Sequence, residues 1–484
     1  MRSWLSRSLV IIGTFALVWL AVAYYWRSSN RMPSSSELAL YFIGMPVGAL
    51  IGIWLISKLI TFAMAKTTVN LSPTSDVTSA GTDSAQDNRI DSEKNLSIAI
   101  IASAIRSSCG NSAEELAETL KSSKKAFKLD PELTNSEGYP ILSGRIASID
   151  VINQITAFNE WSSTHQRSNK EWTEEQLRAI IIGSEVVIEL AQESTQHTLL
   201  EKYLAAAEGK RDAVALPTMQ LIALLPESWS TEQSNQVTEW FSHLVTLQGW
   251  PVEKLSLRSE RQSSPTKVLA TVDRLMLDSF QQSHSCFSLI IACESHIGSN
   301  TVESWESAGK LVDQQGNNLF IPGEAAAALL LGDHQQTQLL NPEISAKISR
   351  VLQNVLKKSA DNAGLKPDDT TIEITQQALT ISGVTAEQIT LLASDTDLRP
   401  SRMMELMDFG AQALPHLEPS TQYMKIAASC GTIGPTAGLL SLVLGHYEVI
   451  NNSGIAVCIS NNDSHKRAVA LVSSLKNTMA NNAA

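Results

Sequence analysis

An α/β fold built around a central sheet is predicted by three observations. Ala325–Leu331 is an unbroken apolar run between Gly323 and Gly332, the pattern of a strand buried on both faces. From Leu96 to Leu475, further short apolar runs alternate with amphipathic stretches of helical length, which is how strands and covering helices alternate in layered α/β domains. Several of those stretches open on helix-start signals, such as Asn111-Ser112 before Glu114-Glu115 and Ser230-Thr231-Glu232, where a hydroxyl or amide caps free N–H groups and acids face the positive helix end.

Composition narrows the function classes. The chain has 484 residues, 43% of them hydrophobic, and a formal net charge of -12. That is enough apolar material for a large packed core, and the acidic balance without a dense Lys/Arg patch argues against nucleic-acid binding. The five cysteines, Cys109, Cys286, Cys293, Cys430 and Cys458, are scattered and form no CxxC pair. Such usage predicts free thiols in a reducing compartment.

The N-terminus reads as membrane. Ser8–Trp26 is uncharged and closes on Tyr24, Tyr25 and Trp26, and Leu38–Ala65 is apolar apart from Lys58. Two such segments, residues 8–26 and 38–65, predict a transmembrane hairpin over residues 1–66. Arg2, Arg7, Lys58 and Lys66 at its outer ends, against Arg27 and Arg31 in its loop, place both termini in the cytoplasm by the positive-inside rule. Residues 67–95 are rich in Ser, Thr and Asp with almost no large apolar side chain, as in a flexible tether. The folded body is expected over residues 96–476, in two similar halves of about 96–333 and 334–476, with a disordered tail at 477–484.

Within the body, a strand from Ser97 leads through a Gly110-Asn111 loop into a helix, and Tyr139–Ile146 forms a short extended piece. An amphipathic helix follows over Glu171–Gln192, a buried strand over Met219–Leu225 and helices over Ser230–Gln248 and Thr266–Gln282. Cys286–Ala292 is the next buried strand, before Ala325–Leu331. The second half is expected to hold a long helix, Ile344–Ala363, and a strand, Gln388–Ser394. A glycine-rich turn, Ala427–Gly438, then opens the helix Leu439–Glu448, and Gly454–Ser460 and Arg467–Val472 close the fold as strands.

Phe320, Gly323, Glu324, Ala325 and Ala326 stand in register with the "G-F-x-x-G-E-G-A-A-A-L-V-L" segment of beta-ketoacyl synthases, with Ala325 where that family has a second glycine. Gly110, Asn111, Glu115, Leu116 and Leu120 match the family's opening loop and helix, and Ala363-Gly364-Leu365 with Pro367-Asp368-Asp369 resembles its "A-G-L-x-P-x-D-I". The resemblance spans Leu96–Leu475 and implies a thiolase-like five-layer αβαβα body.

The same resemblance exposes a departure. The family's cysteine nucleophile sits in a "T-A-C-S-S-S" elbow, where a helix N-terminus activates the thiolate, and two histidines supply the remaining chemistry. The corresponding elbow reads Glu260-Arg261-Gln262-Ser263-Ser264-Pro265, the first histidine turn Ala393-Ser394-Asp395-Thr396-Asp397, and the second Ser429-Cys430-Gly431-Thr432-Ile433-Gly434. All three groups are missing. Ser263, Ser264 and Cys430 lack an adjacent base in the alignment, Asp395 and Asp397 read as solvated or capping loop acids, and His284 and His296 read as polar strand-edge residues. No metal-ligand spacing and no cofactor fingerprint is present, so no catalytic, cofactor or metal residue is assigned.

The expected function is therefore binding. In layout, a membrane-proximal N-terminus before a thiolase-like body, the chain is similar to the bacterial type VI secretion lipase-adaptor family. That resemblance implies a non-catalytic adaptor at the inner membrane, which loads a secreted phospholipase effector onto the secretion spike. The alternatives are a divergent membrane-associated beta-ketoacyl synthase or acyltransferase, and the dead partner subunit of an active synthase. Self-association, or pairing with another thiolase-like chain, is expected under each.

Overall fold

The computed structural model describes residues 96–475 apart from 123–125, 166–170, 283–284, 313–319, 341–345 and 362–367. The expected hairpin, tether and tail, together with His284, lie outside the described residues, and among those described no helix is long and apolar enough to cross a membrane.

The strands are β1 (Ser97–Ser107), β2 (Lys128–Thr134), β3 (Pro140–Ser143), β4 (Met219–Pro226), β5 (Leu255–Gln262), β6 (Phe287–Ser295), β7 (Glu324–Gly332), β8 (Ala346–Ser349), β9 (Leu352–Val355), β10 (Leu391–Ser394), β11 (Tyr423–Lys425), β12 (Ala456–Ser460) and β13 (Lys466–Ser474). The main helices are α1 (Ala113–Lys121), α2 (Thr156–Thr164), α3 (Glu174–Ser194), α4 (Thr231–Leu247), α5 (Pro265–Gln282), α6 (Ser299–Ser307), α7 (Thr370–Ser382), α8 (Pro400–Ala413) and α9 (Thr436–Asn452). The main sheet runs β11-β10-β12-β13-β8-β1-β7-β6-β4-β5, with β9 added on β13, while β2 and β3 form a separate hairpin. It is mixed: β10 pairs in parallel with β11 and β12, and β4 with β5 and β6, whereas β7 lies antiparallel between β1 and β6.

The apolar run is central, as expected. Ala325, Ala327, Leu329 and Leu331 on one face of β7 join a core with α5 and α9, and Ala326, Ala328 and Leu330 on the other face join a core with α3 and α4. A strand with no polar alternation has no face to offer water, so helices must cover both sides. The same alternation recurs at β13, where Ala468, Ala470 and Val472 face the first core and Val469 and Leu471 face a third, beneath α7 and α8. α5 and α9 thus share one core with β7 and β13, while α3 and α4 cover the other face of β7 and α7 and α8 the other face of β13.

Local signals set the helix starts. Ser112 caps α1 by accepting from Glu115 N, and Thr173 with Gln176 and Ser230 with Gln233 form capping boxes at α3 and α4. The expected helix Ile344–Ala363 is not formed; β8 and β9 occupy its centre. Its apolar spacing suits a helix, but Ala346 and Ile348 are fully buried and β8 fills the sheet between β1 and β13. The Asp273 carboxylate then accepts from Arg350 Nε and Val351 N, both at 2.9 Å, pinning the bend before β9. Sheet pairing outweighs local propensity here.

Candidate functional site

The three turns that the sequence singled out converge. The elbow lies where β5 ends at Gln262 and α5 begins at Pro265, and Ser264 is buried within it. α9 starts against the elbow, since a Cβ on Gly438 would lie 2.8 Å from Pro265 O. Thr266, on the first turn of α5, is 2.8 Å from Ser460 Oγ through its Oγ1, and Ser460 donates to Asp395 Oδ2 at 2.6 Å. One hydroxyl chain thereby joins the elbow helix to the first histidine turn. The second turn meets the entry to β7: Thr432 N donates to Ile321 O at 2.8 Å, and a Cβ on Gly323 would stand 2.6 Å from Cys430 O.

What fills these turns differs from a condensing site. Asp395 and Asp397 are not solvated; both are buried. Asp397 accepts from Arg399 N and Nε. Asp395 is locked by Ser460 and by the N–H groups of Asn461 and Asn462, at 2.8 and 3.2 Å. The loop folds its acids inward because Arg399 and the β12–β13 turn supply donors that the sequence spacing did not reveal. Burial raises the Asp395 carboxyl to about 6, against the Ser460 and Asn461 hydrogen bonds. A folded value above the ordinary one of about 4 favours the native state fully below that pH, and the contribution is lost as pH rises through about 6. Asp395→Asn should therefore flatten the fall in stability between about pH 4 and about pH 6.5, read as urea midpoints. An unchanged slope would remove Asp395 as its cause.

The cysteines depart from the expected free thiols. Cys430, where the second histidine would stand, is bonded to Cys109 in a disulfide, with α-carbons 5.7 Å apart. The pairing links the loop after β1 to the glycine-rich turn, residues distant in the chain, which sequence spacing cannot anticipate. Cys286, Cys293 and Cys458 are free and buried. Burial pushes Cys286 up to about 11 and Cys458 to about 12, and raises Cys293 as well. None is an available thiolate at neutral pH. Among the described residues no histidine hydrogen-bonds the elbow serines, and no group of three or more His, Cys, Asp or Glu could hold a metal.

Two pairs were not foreseen. Glu324 is fully buried and takes a two-pronged grip from Arg178, Nε to Oε2 at 2.8 Å and Nη2 to Oε1 at 2.6 Å, while Ile146 N and Ser295 Oγ also donate to it. The motif's glutamate is thus a clamp between β7, α3 and the end of β6. Its one local signal is an arginine set directly before the apolar run Ala179–Ile182 of the predicted helix Glu171–Gln192. His296, read as a strand-edge residue, is instead largely buried, with Nε2 3.3 Å from Glu294 Oε1 and its ring 4.9 Å from that of Trp305. Burial lifts Glu294 to about 8 and lowers His296 to about 4. Glu294 Oε2 has no hydrogen-bond partner and sits against Gly434, where a Cβ would overlap it. This pair lines a cleft of about 400 Å³ together with Glu175, Trp229 and Trp305. Cys293, the neighbouring nucleophile in sequence, points to the opposite face of β6, against Gly183 of α3.

No family model matches the chain, and no curated protein matches its sequence. Solved structures do resemble it. The ishigamide ketosynthase/chain length factor shares 11% identity at a TM-score of 0.51, over 78% of this chain and 99% of its own. The AntDE ketosynthase, in complex with the acyl-carrier protein AntF, shares 9% at 0.51, over 78% and 99%. The ketosynthase from module 6 of the bacillaene synthase of Bacillus subtilis 168 shares 12% at 0.52, over 78% and 72%. At such identities the likeness speaks to architecture alone. The described residues have the mixed α/β, thiolase-like fold that these ketosynthases share.

Proposed function

We propose that the chain is a non-catalytic, thiolase-like adaptor, tethered to the bacterial inner membrane by residues 8–26 and 38–65, which binds a secreted phospholipase effector and loads it onto the type VI secretion spike. The observation that carries the non-catalytic part is the content of the three converging turns. Buried serine stands at the elbow, a hydrogen-bonded Asp395 in the first turn and a bonded Cys430 in the second. Nucleophile, base and oxyanion donors act as a unit, and these turns bring no imidazole to the serine, only the Asp463 carboxyl, which hydrogen bonds from the backbone and Ser264 hold low against its burial. The adaptor part rests on the layout of the sequence. Affinity capture of the full-length chain from its own cells, followed by mass spectrometry, should return a lipase and a spike protein. Recovery of acyl carrier protein instead would favour the synthase reading.

The orientation proposed from the flanking basic residues puts residues 96 onward in the cytoplasm. There Cys109 and Cys430 would be kept as a reducible pair, whereas an oxidising compartment would hold the bond closed. A C-terminal alkaline-phosphatase fusion should be inactive and a fluorescent-protein fusion bright; the reverse pattern would place the body on the far side. Self-association is proposed through β5, which ends the main sheet with Leu257 exposed. Light scattering should then give twice the chain mass, and a monomer would count against this edge.

A further inference from the structure

The cleft beside the Glu294–His296 pair has no role in the adaptor reading, and its chemistry can be read independently of it. Two carboxyl side chains line it, Glu294 and Glu175, and no lysine or arginine does among the described residues. Glu175 is held at the rim by Thr301, whose N and Oγ1 donate to Oε1 at 3.1 and 3.2 Å. Glu294 is more than nine-tenths buried, its Oε1 lies 3.3 Å from His296 Nε2, and its Oε2, packed against Gly434, has no hydrogen-bond partner among the described residues. An anionic guest would meet two acids and no cation. Gln176, Asn300, Thr301 and Ser304 also line the wall, polar groups that an acyl chain would leave unpaired. The indoles of Trp229 and Trp305 supply aromatic surface at the same cleft, and an indole face attracts positive charge.

We propose that this cleft binds an organic cation, an alkylammonium or guanidinium group, set against the Trp305 and Trp229 indoles, with Glu175 and the ionised form of Glu294 as counter-charges. Its volume of about 400 Å³ is that of a small-ligand pocket. The shared chemistry has two sources, a free amine or a lysine or arginine side chain of a bound protein, and the probes separate them.

The test is calorimetric titration of the full-length chain at about pH 9, above the value of about 8 to which burial lifts Glu294, with agmatine, cadaverine and N-acetyl-arginine amide, and with acetate as the anionic control. Saturable binding of at least one cation is expected, with none for acetate. Glu294→Gln keeps an acceptor for His296 and should keep the melting temperature, yet weaken binding about tenfold or more, since a charge-assisted contact is lost. Trp305→Leu should weaken it by a few-fold, to about tenfold. Binding of agmatine and cadaverine assigns the site to free amines; binding of the arginine amide alone assigns it to a protein side chain. No saturable binding of any cation up to about 10 mM, or equal affinity in wild type and Glu294→Gln, overturns the proposal. Failure here would leave capture of a lipase unaffected, so the two readings fall separately.

Discussion

Gly323→Val should leave the body insoluble or unfolded. Gly323 precedes β7, and its α-carbon passes so close to the second turn that a Cβ would stand 2.6 Å from Cys430 O and 3.1 Å from Gly431. Both neighbours are backbone, so neither can swing aside as a side chain would. Gly323 also bridges Gly144, and its carbonyl accepts from His296 N at 2.9 Å, which ties three segments at one point. A branched side chain must therefore separate strands that are buried on both faces, a cost in the class above about 4 kcal/mol. Gly323→Ala meets the same two atoms without the branch and should be less damaging. Soluble yield and melting temperature read the result; wild-type values for Gly323→Val would show that the body does not depend on this approach.

Glu324→Ala should be nearly as harmful for a different reason. It leaves Arg178, with only 3% of its side chain exposed, as a buried charge without its carboxylate. Breaking such a pair from one side costs about 3–5 kcal/mol, whereas replacing both partners with apolar groups of similar volume is far milder. The double variant Arg178→Met/Glu324→Leu should therefore recover much of the loss, and a double-mutant cycle on urea midpoints should show strong coupling. Additive effects would mean that the two side chains act independently.

The contrast between these residues explains what the sequence could convey. β7 was legible because a run without polar residues allows one kind of environment, and the starts of α1 and α4 were legible because a cap and its acid lie within four residues. The strand character of β8 was not, since it comes from β1 and β13, elements far away in the chain, and the local spacing pointed to a helix. The same holds at the site. That Gln262–Pro265 holds no cysteine, and Ala393–Asp397 and Ser429–Gly434 no histidine, is plain position by position. What stands around them could not be read that way: the donors to Asp395 come from β12 and the turn after it, and Cys109 lies 321 residues from Cys430. Pairings across the fold carry no local signature, so the empty positions were visible while their new partners were not.

A thiolase-like body without condensing chemistry, as proposed here, should take up no acyl group. The most direct test is to incubate the purified chain with acyl-CoA and acyl-carrier-protein donors and weigh the intact protein. Wild type should keep an unmodified mass, and Ser263→Ala, Ser264→Ala and Cys430→Ala should leave partner capture unchanged. A covalent acyl adduct on wild type that disappears with one of those substitutions would contradict it.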